Sequence, residues 1–295
     1  MACPKTARRK EQAAVIQVLR ADYPLKELLA YFKMPRSTYY ERLKAIQATD
    51  KYGHIKQVIK QLFRQSRETY GYRRIYYKLK KLNYTISPET VRKLMKQIGL
   101  KVCVYSKRSH YSSYRGQLGR VAPNILKQKF NERQVYRVLH TDITQLKLDN
   151  NQFGYISAVI DEASNEVLAT QVSASPNRIL IEQTLQELSS RLPAGSQPII
   201  HSDQGWHYQL QYYRNELAKA NLTQSMSRKG NCLDNAPIES FFNLMKRECL
   251  KRLKISSINQ LREIVQDYVS WFNYERISLN KKGLTPVEYR NQSIN

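Results

Sequence analysis

Apolar residues recur every three to four positions through the first hundred residues, whereas the middle of the chain carries short β-branched runs separated by turn residues. Leu25, Leu28, Leu29 and Phe32 form one helical stripe, Lys33-Met34-Pro35 breaks it, and Ser37 is placed to cap a second helix through Tyr40, Leu43 and Ile46. A second pair follows. Tyr72, Ile75, Tyr76 and Leu79 fall at i, i+3, i+4 and i+7, Ser87 and Pro88 open the next helix, Val91, Leu94, Met95 and Ile98 repeat the spacing, and Gly99 stops it. Both pairs read as helix-turn-helix candidates. Between Lys101 and Lys129 neither period survives, which predicts a basic linker that orders on DNA, its tyrosines either stacking on bases or merely decorating a loop.

From Val135 the reading changes to strands at 135–148, 153–160 and 166–172, a helix containing Ile179 and Leu188, a strand at Ile199, a helix over about 209–220, and a short strand over 222–226. A Gly/Asn-rich connector, 227–235, leads into a helix capped by Asn235, with Pro237 in its first turn and Ile238, Phe241, Phe242, Met245 and Cys249 on its buried side. The expected organisation is a helical DNA-binding region at 1–100, a linker at 101–132, an α/β core at 133–255 and a C-terminal helix and tail at 256–295.

Charge sharpens that division. The chain has net charge +25, and residues 1–138 hold 32 Lys/Arg against 8 Asp/Glu, leaving 17 against 16 for the rest. A basic front half joined to a nearly neutral core points to nucleic acid as partner, a solvated surface being the bland alternative. Arg36, Arg73, Arg74, Lys78, Arg92, Lys93 and Lys96 are the candidate contacts, off the apolar stripes, with Tyr77 beside them; Tyr72 and Tyr76 read as core. Four scattered cysteines fit neither a disulfide framework nor a zinc site. With no apolar stretch of about 18 residues and no signal peptide, the expectation is a cytoplasmic, nucleoid-associated protein without a membrane partner.

Three acids stand in unusual contexts. Asp142 lies inside a β-branched run, Asp203 closes the short strand Ile199 to Ser202, and Glu239 comes from the following helix, on a face shared with Asn243 and Lys246. Converging carboxylates repel unless a cation lies between them, and hard divalent ions take such oxygen ligands. Asp161 and Asp234 read as turn or cap residues, and His201 and His207 as structural.

The motifs His201-Ser202-Asp203-Gln204-Gly205, Ser225 to Cys232 with Asp234-Asn235-Ala236, and Glu239-Ser240-Phe241-Phe242 resemble the integrase core of bacterial insertion-sequence transposases of the OrfB type. Asp203 and Glu239 are separated by 35 residues, the spacing for which the DD(35)E group is named, and Lys246 matches its basic residue two turns on. Tyr70-Gly71-Tyr72-Arg73-Arg74 resembles the family's upstream helix-turn-helix module, and Arg276 with Leu284 to Arg290 its tail. Leu139 and Ser278 depart from the family, which often has Trp and His there. The resemblance implies a ribonuclease-H-like mixed five-stranded sheet with helices, and Asp142, Asp203 and Glu239 as catalytic ligands of two Mg²⁺ ions, with Mn²⁺ as a substitute. It further implies Lys246 on terminal DNA phosphates, cleavage and strand transfer at element ends, a homo-oligomer on DNA, and a partner or fusion from an upstream frame. A ribonuclease-H-fold nuclease without strand transfer, or a non-catalytic repressor, are the alternatives.

Overall fold

The computed structural model describes residues 4–47, 50–104, 120–128, 130–228 and 232–294. The linker tract 105–119, the connector's Lys229-Gly230-Asn231, Cys3 and the Cys232 side chain lie outside the described residues. By contacts the chain divides into two compact units, Met1–Val58 and Ile59–Asn295, so that residues 59–100 belong with the core.

In the first unit α1 (Pro4–Leu19), α2 (Leu25–Tyr31) and α3 (Arg36–Gln47) enclose Ala13, Ile16, Leu28, Met34 and Tyr39. The expected break is present: Lys33 takes φ 49, the left-handed region that ends a helix, and Met34 turns inward. Helix α3 starts one residue before Ser37, where the Pro35 carbonyl accepts the Tyr39 N–H at 3.0 Å. Its inner stripe is also shifted. Tyr39 is fully buried while Tyr40 and Ile46, expected inside, are exposed. Helix α4 (Gly53–Gln65) spans the boundary; neither α1 nor α4 was among the expected helices, although Ile55, Val58, Ile59 and Leu62 of α4 stand at i, i+3, i+4 and i+7.

In the second unit α5 (Tyr72–Lys81) and α6 (Pro88–Gln97) form the later helix pair. Ser87 caps α6 as expected, its hydroxyl accepting the Thr90 N–H at 3.2 Å, and Gly99 ends it at φ +71. Ile75 and Leu79 are fully buried, with Tyr72 and Tyr76 half-buried beside them.

Strands β1 (Val138–Lys147), β2 (Phe153–Asp161), β3 (Val167–Ser173), β4 (Ile199–Ser202) and β5 (Thr223–Met226) make one sheet in the order β3-β2-β1-β4-β5. The first three are antiparallel; β4 and β5 run parallel to β1, giving the mixed five-stranded sheet that the sequence implied. Helix α7 (Arg178–Arg191) is followed by the one-turn α8 (Trp206–Gln209), which was not expected, and by α9 (Gln211–Lys219), which matches the helix expected over about 209–220. Leu139, Val159, Leu168, Ile181, Leu188, Ile200 and Leu217 form the core on one side of the sheet. Helices α10 (Ala236–Glu248), α11 (Ile258–Tyr274) and α12 (Pro286–Ile294) complete the chain. No helix among the described residues is long and apolar enough to cross a membrane.

Strand β3 is an edge, and edges left open invite pairing with other chains. Here side chains occupy it. Asn273 of α11 accepts the Val167 N–H and donates to the Val167 carbonyl, both at 2.9 Å, Glu187 of α7 accepts the Thr170 N–H at 3.0 Å, and Arg262 reaches the Val172 carbonyl.

Candidate active site

Because side chains alternate along a strand, Leu139 and Ile143 of β1 pack into the core while His140, Asp142 and Thr144 share the opposite face. The parallel register pairs His140 with His201, their rings 5.7 Å apart. Carried forward two residues, that register sets Asp142 beside Asp203, just past the end of β4.

Helix α10 runs along this same face of β1. At its entry Asn235 takes the N-cap position, as expected, but its side chain accepts no helix N–H; the side-chain amide instead bonds His140 Nδ1 at 3.0 Å and the Thr141 carbonyl at 3.1 Å. Farther along, Lys246 Nζ donates to Thr144 Oγ1. The eleven residues from Asn235 to Lys246 rise about 16 Å, close to the roughly 13 Å from His140 to Thr144. Glu239, one turn into the helix, therefore comes down near Asp142 and Asp203. Neither this role of Asn235 nor that of Thr144 was read from the sequence; alternation in β1 marks only that His140, Asp142 and Thr144 share a face, not which distant residues meet them.

The electrostatics of this cleft are those of crowded acids. Burial foremost, then Asp203 and Glu239, push the Asp142 carboxyl well above the usual range, against an Ile143 N–H donated to Oδ1 at 2.7 Å and the charge of Lys246. Asp203 is raised by burial despite the Gly205 N–H at 2.8 Å, and Glu239 by burial and then Asp203. Burial and Lys251 lower the Lys246 ammonium, which Asp142 partly restores. Three hard oxygen donors facing one lysine leave surplus negative charge, the condition a divalent cation relieves. Among the described residues, however, no group of three or more His, Cys, Asp or Glu side chains is drawn close enough together to hold a metal ion.

The neighbouring polar residues are structural. Asp161 binds a turn, accepting from the Tyr136 and Ser164 N–H groups at 2.8 Å each, and Asp234 accepts from the Arg228 N–H and guanidinium at 2.8 to 3.0 Å. His201 Nδ1 meets Ser225 Oγ, and His207 Nε2 the Pro176 carbonyl.

The basic candidates divide by environment. Arg36, Arg73, Lys93 and Lys96 are exposed. Arg92 is exposed too but bidentate with Glu89 at 2.6 and 2.8 Å. Lys78 is half-buried, lowered by burial and Lys81 and opposed by Glu288 and Glu275. Arg74 lies over the Tyr70 ring and within 3.9 Å of the buried Glu248 carboxylate. Tyr77, expected among the contact candidates, meets the tail: a Cβ on Gly283 would stand 2.5 Å from its ring. Ser278 ties that tail turn through its N–H to the Leu284 carbonyl, and Leu139 is sealed in the core, so both departures from the family have local structural places.

Comparison with known proteins matches integrase core domain models at residues 132–232 and 239–294 and an HTH-like domain model at 51–109. The chain is 41% identical over 279 residues, 95% of its length and 98% of the relative's, to the putative transposase InsK of insertion sequence element IS150 from Escherichia coli K12. A transposase-like protein of Haemophilus influenzae is 40% identical over 71% of this chain and 95% of its own. Among solved structures, the HTLV-2 integrase catalytic core domain in complex with magnesium aligns at TM-score 0.42 and 12% identity, covering 53% of this chain and 97% of that one. A chain of the simian T-cell lymphotropic virus intasome aligns at TM-score 0.45 and 12% identity, over 70% and 67%. The near full-length identity, together with an HTH-like region followed by an integrase core, means that the chain belongs to the insertion-sequence transposases with an integrase core.

Proposed function

We propose that this transposase binds the ends of its insertion sequence and cuts and joins DNA strands by Mg²⁺-dependent phosphodiester chemistry, with Asp142, Asp203 and Glu239 as the catalytic ligands. The observation that carries the reading is the register of β1 with β4, which lines up Asp142 and Asp203, and the course of α10, which brings Glu239 and Lys246 to the same face. Asp142, Asp203 and Glu239 would hold two Mg²⁺ ions, or Mn²⁺ in their place, which would supply Lewis acidity at the reacting phosphate. The chain's own residues orient the ligands: Ile143 N–H holds Asp142, Gly205 N–H holds Asp203, and Asn235 fixes the start of the helix that carries Glu239. Lys246, aimed by Thr144, is the candidate for the terminal phosphates.

On this reading the exposed Arg36, Arg73, Lys93 and Lys96 hold DNA outside the cleft, mostly through phosphates. Assembly of several copies on DNA, and a partner or fusion from an upstream frame, complete the proposal. Glu239→Gln tests it: DNA binding should persist while Mg²⁺-dependent joining falls by at least about 10²-fold. Unchanged joining would remove Glu239 from the site, and cleavage without joining in the wild type would favour the nuclease alternative.

A further inference from the structure

The helix carrying Glu239 and Lys246 ends at Glu248, a carboxylate only 5% exposed. Arg276 of the tail grips it with both forks, Nε to Oε2 at 2.8 Å and Nη2 to Oε1 at 2.7 Å, and the Tyr268 hydroxyl of α11 donates to Oε2 at 2.9 Å. The third group around it comes from the HTH-like region: Arg74 Nη1 lies 3.9 Å from Oε1. Beneath Arg74 the Tyr70 ring sits 5.3 Å from the guanidinium carbon, and the Tyr70 hydroxyl accepts the Ile277 N–H at 2.7 Å. A second strut lies alongside, where one Arg252 amino group donates to the Glu248 carbonyl at 3.0 Å and to the Arg67 carbonyl at 2.9 Å.

Arg74 thus lies between an aromatic face and a buried carboxylate, with its side chain 24% exposed. Its neighbour Arg73 faces solvent. A DNA phosphate competing for Arg74 would have to leave Glu248 with one cation fewer in a dry site. Meanwhile α10 is held at both ends, by Asn235 against β1 and by Glu248 against Arg276 and Arg74, with the proposed ligand Glu239 and DNA contact Lys246 between the two anchors. A displacement of about 1 Å in a catalytic group lowers rate about 10²-fold.

We propose that Arg74 is a positioning residue for the catalytic helix, acting through the Glu248 carboxylate, and that it transmits the placement of the HTH-like region to Glu239 and Lys246 rather than contacting DNA. The inference rests on the strand-transfer reading above, and wild-type Mg²⁺-dependent joining is its control: absence of joining there sinks that reading, whereas the outcomes below decide the role of Arg74.

Arg74→Met in the full chain keeps the aliphatic stem and removes the charge. With a duplex of the element's own terminal repeat as probe, the expected result is an affinity within about twofold of wild type and an unchanged salt slope, because every phosphate stays bound. Single-turnover joining at saturating DNA should fall at least tenfold. Hydrogen exchange at the C-terminal half of α10 should quicken while α6 stays protected. Glu248→Gln should reproduce this pattern, and the double variant should be no worse than the worse single, since both break one joint. A weaker affinity with a salt slope smaller by about one phosphate, or Arg73→Met and Arg74→Met behaving alike, would overturn the proposal in favour of a DNA contact. Should Arg74→Met fail to fold, Glu248→Gln decides by the same joining and exchange readouts, with normal joining counting against it.

Discussion

Gly205 shows how little room the cleft leaves. Its φ of −53 is open to any residue, so what excludes a side chain is space: a Cβ would stand 2.9 Å from Asp203 Oδ1, the oxygen that the Gly205 N–H holds. Gly205→Ala should therefore change the melting temperature by no more than a few degrees yet lower joining at least tenfold, by turning Asp203 aside. Normal joining in that variant would mean that the Asp203 rotamer is free. Asp234 acts at a distance from the chemistry. Arg228 hydrogen bonds lead in holding its carboxyl at about 2, below the ordinary 3.8. A lowered folded-state value stabilises the fold above the unfolded value, and that contribution fades as pH falls through the folded one. Asp234→Asn should accordingly lower the urea midpoint at neutral pH, with the gap to wild type closing between about pH 4 and 2. A gap constant across that range would show that the charge contributes nothing. The acids stand out in the sequence because their contexts are so unlike a surface, and the structure puts Asp142 beside the end of β4 that Asp203 follows. The roles of Asn235 and Thr144 were not legible in the sequence, since their partners, His140 and Lys246, lie about a hundred residues away.

Strands and helices were legible where local pattern suffices, as in the Ser87-Pro88 entry to α6 and the three consecutive strands. Boundaries moved where side chains far off in sequence set them: β1 starts at Val138 and not at Val135 because Tyr136 adopts φ 63 and gives its N–H to Asp161. The sealing of β3 by Asn273 has no local signature either. Asn273→Leu, close in shape, would leave the Val167 N–H and carbonyl unpaired and should destabilise the fold by about 1–3 kcal/mol in urea titration. It should also make sedimentation concentration-dependent, through the opened strand. Unaltered stability and a monodisperse profile would assign the edge's protection to Glu187 and Arg262 alone.

At the scale of the molecule, composition revealed the basic front but not how its cations are used. Residues 1–50 contain 10 Lys/Arg against 5 Asp/Glu, and 51–138 contain 22 against 3, so most of the surplus belongs to the unit that also holds Asp142, Asp203 and Glu239. Removing residues 1–50 should leave the melting of the remainder intact and reduce, without abolishing, the salt dependence of DNA binding, at about 0.9 in log-log slope for each phosphate no longer bound. An unchanged slope would place the first unit off the DNA.

Several cations of the HTH-like region pair with acids of the last helices, Arg67 with Asp267 at 2.8 Å and Lys81 with Glu288 at 2.8 Å on the surface, and Arg74 with the buried Glu248. Around Gly283, at φ +78 and pressed to Tyr77, the tail turn is moulded on that region. An exchange of this region between relatives would thus involve a non-contiguous module. A chimera receiving only 51–104 from another member would inherit mismatched sockets, whereas one that also takes the stretch from Asp267 to Arg290 would arrive with plug and socket together.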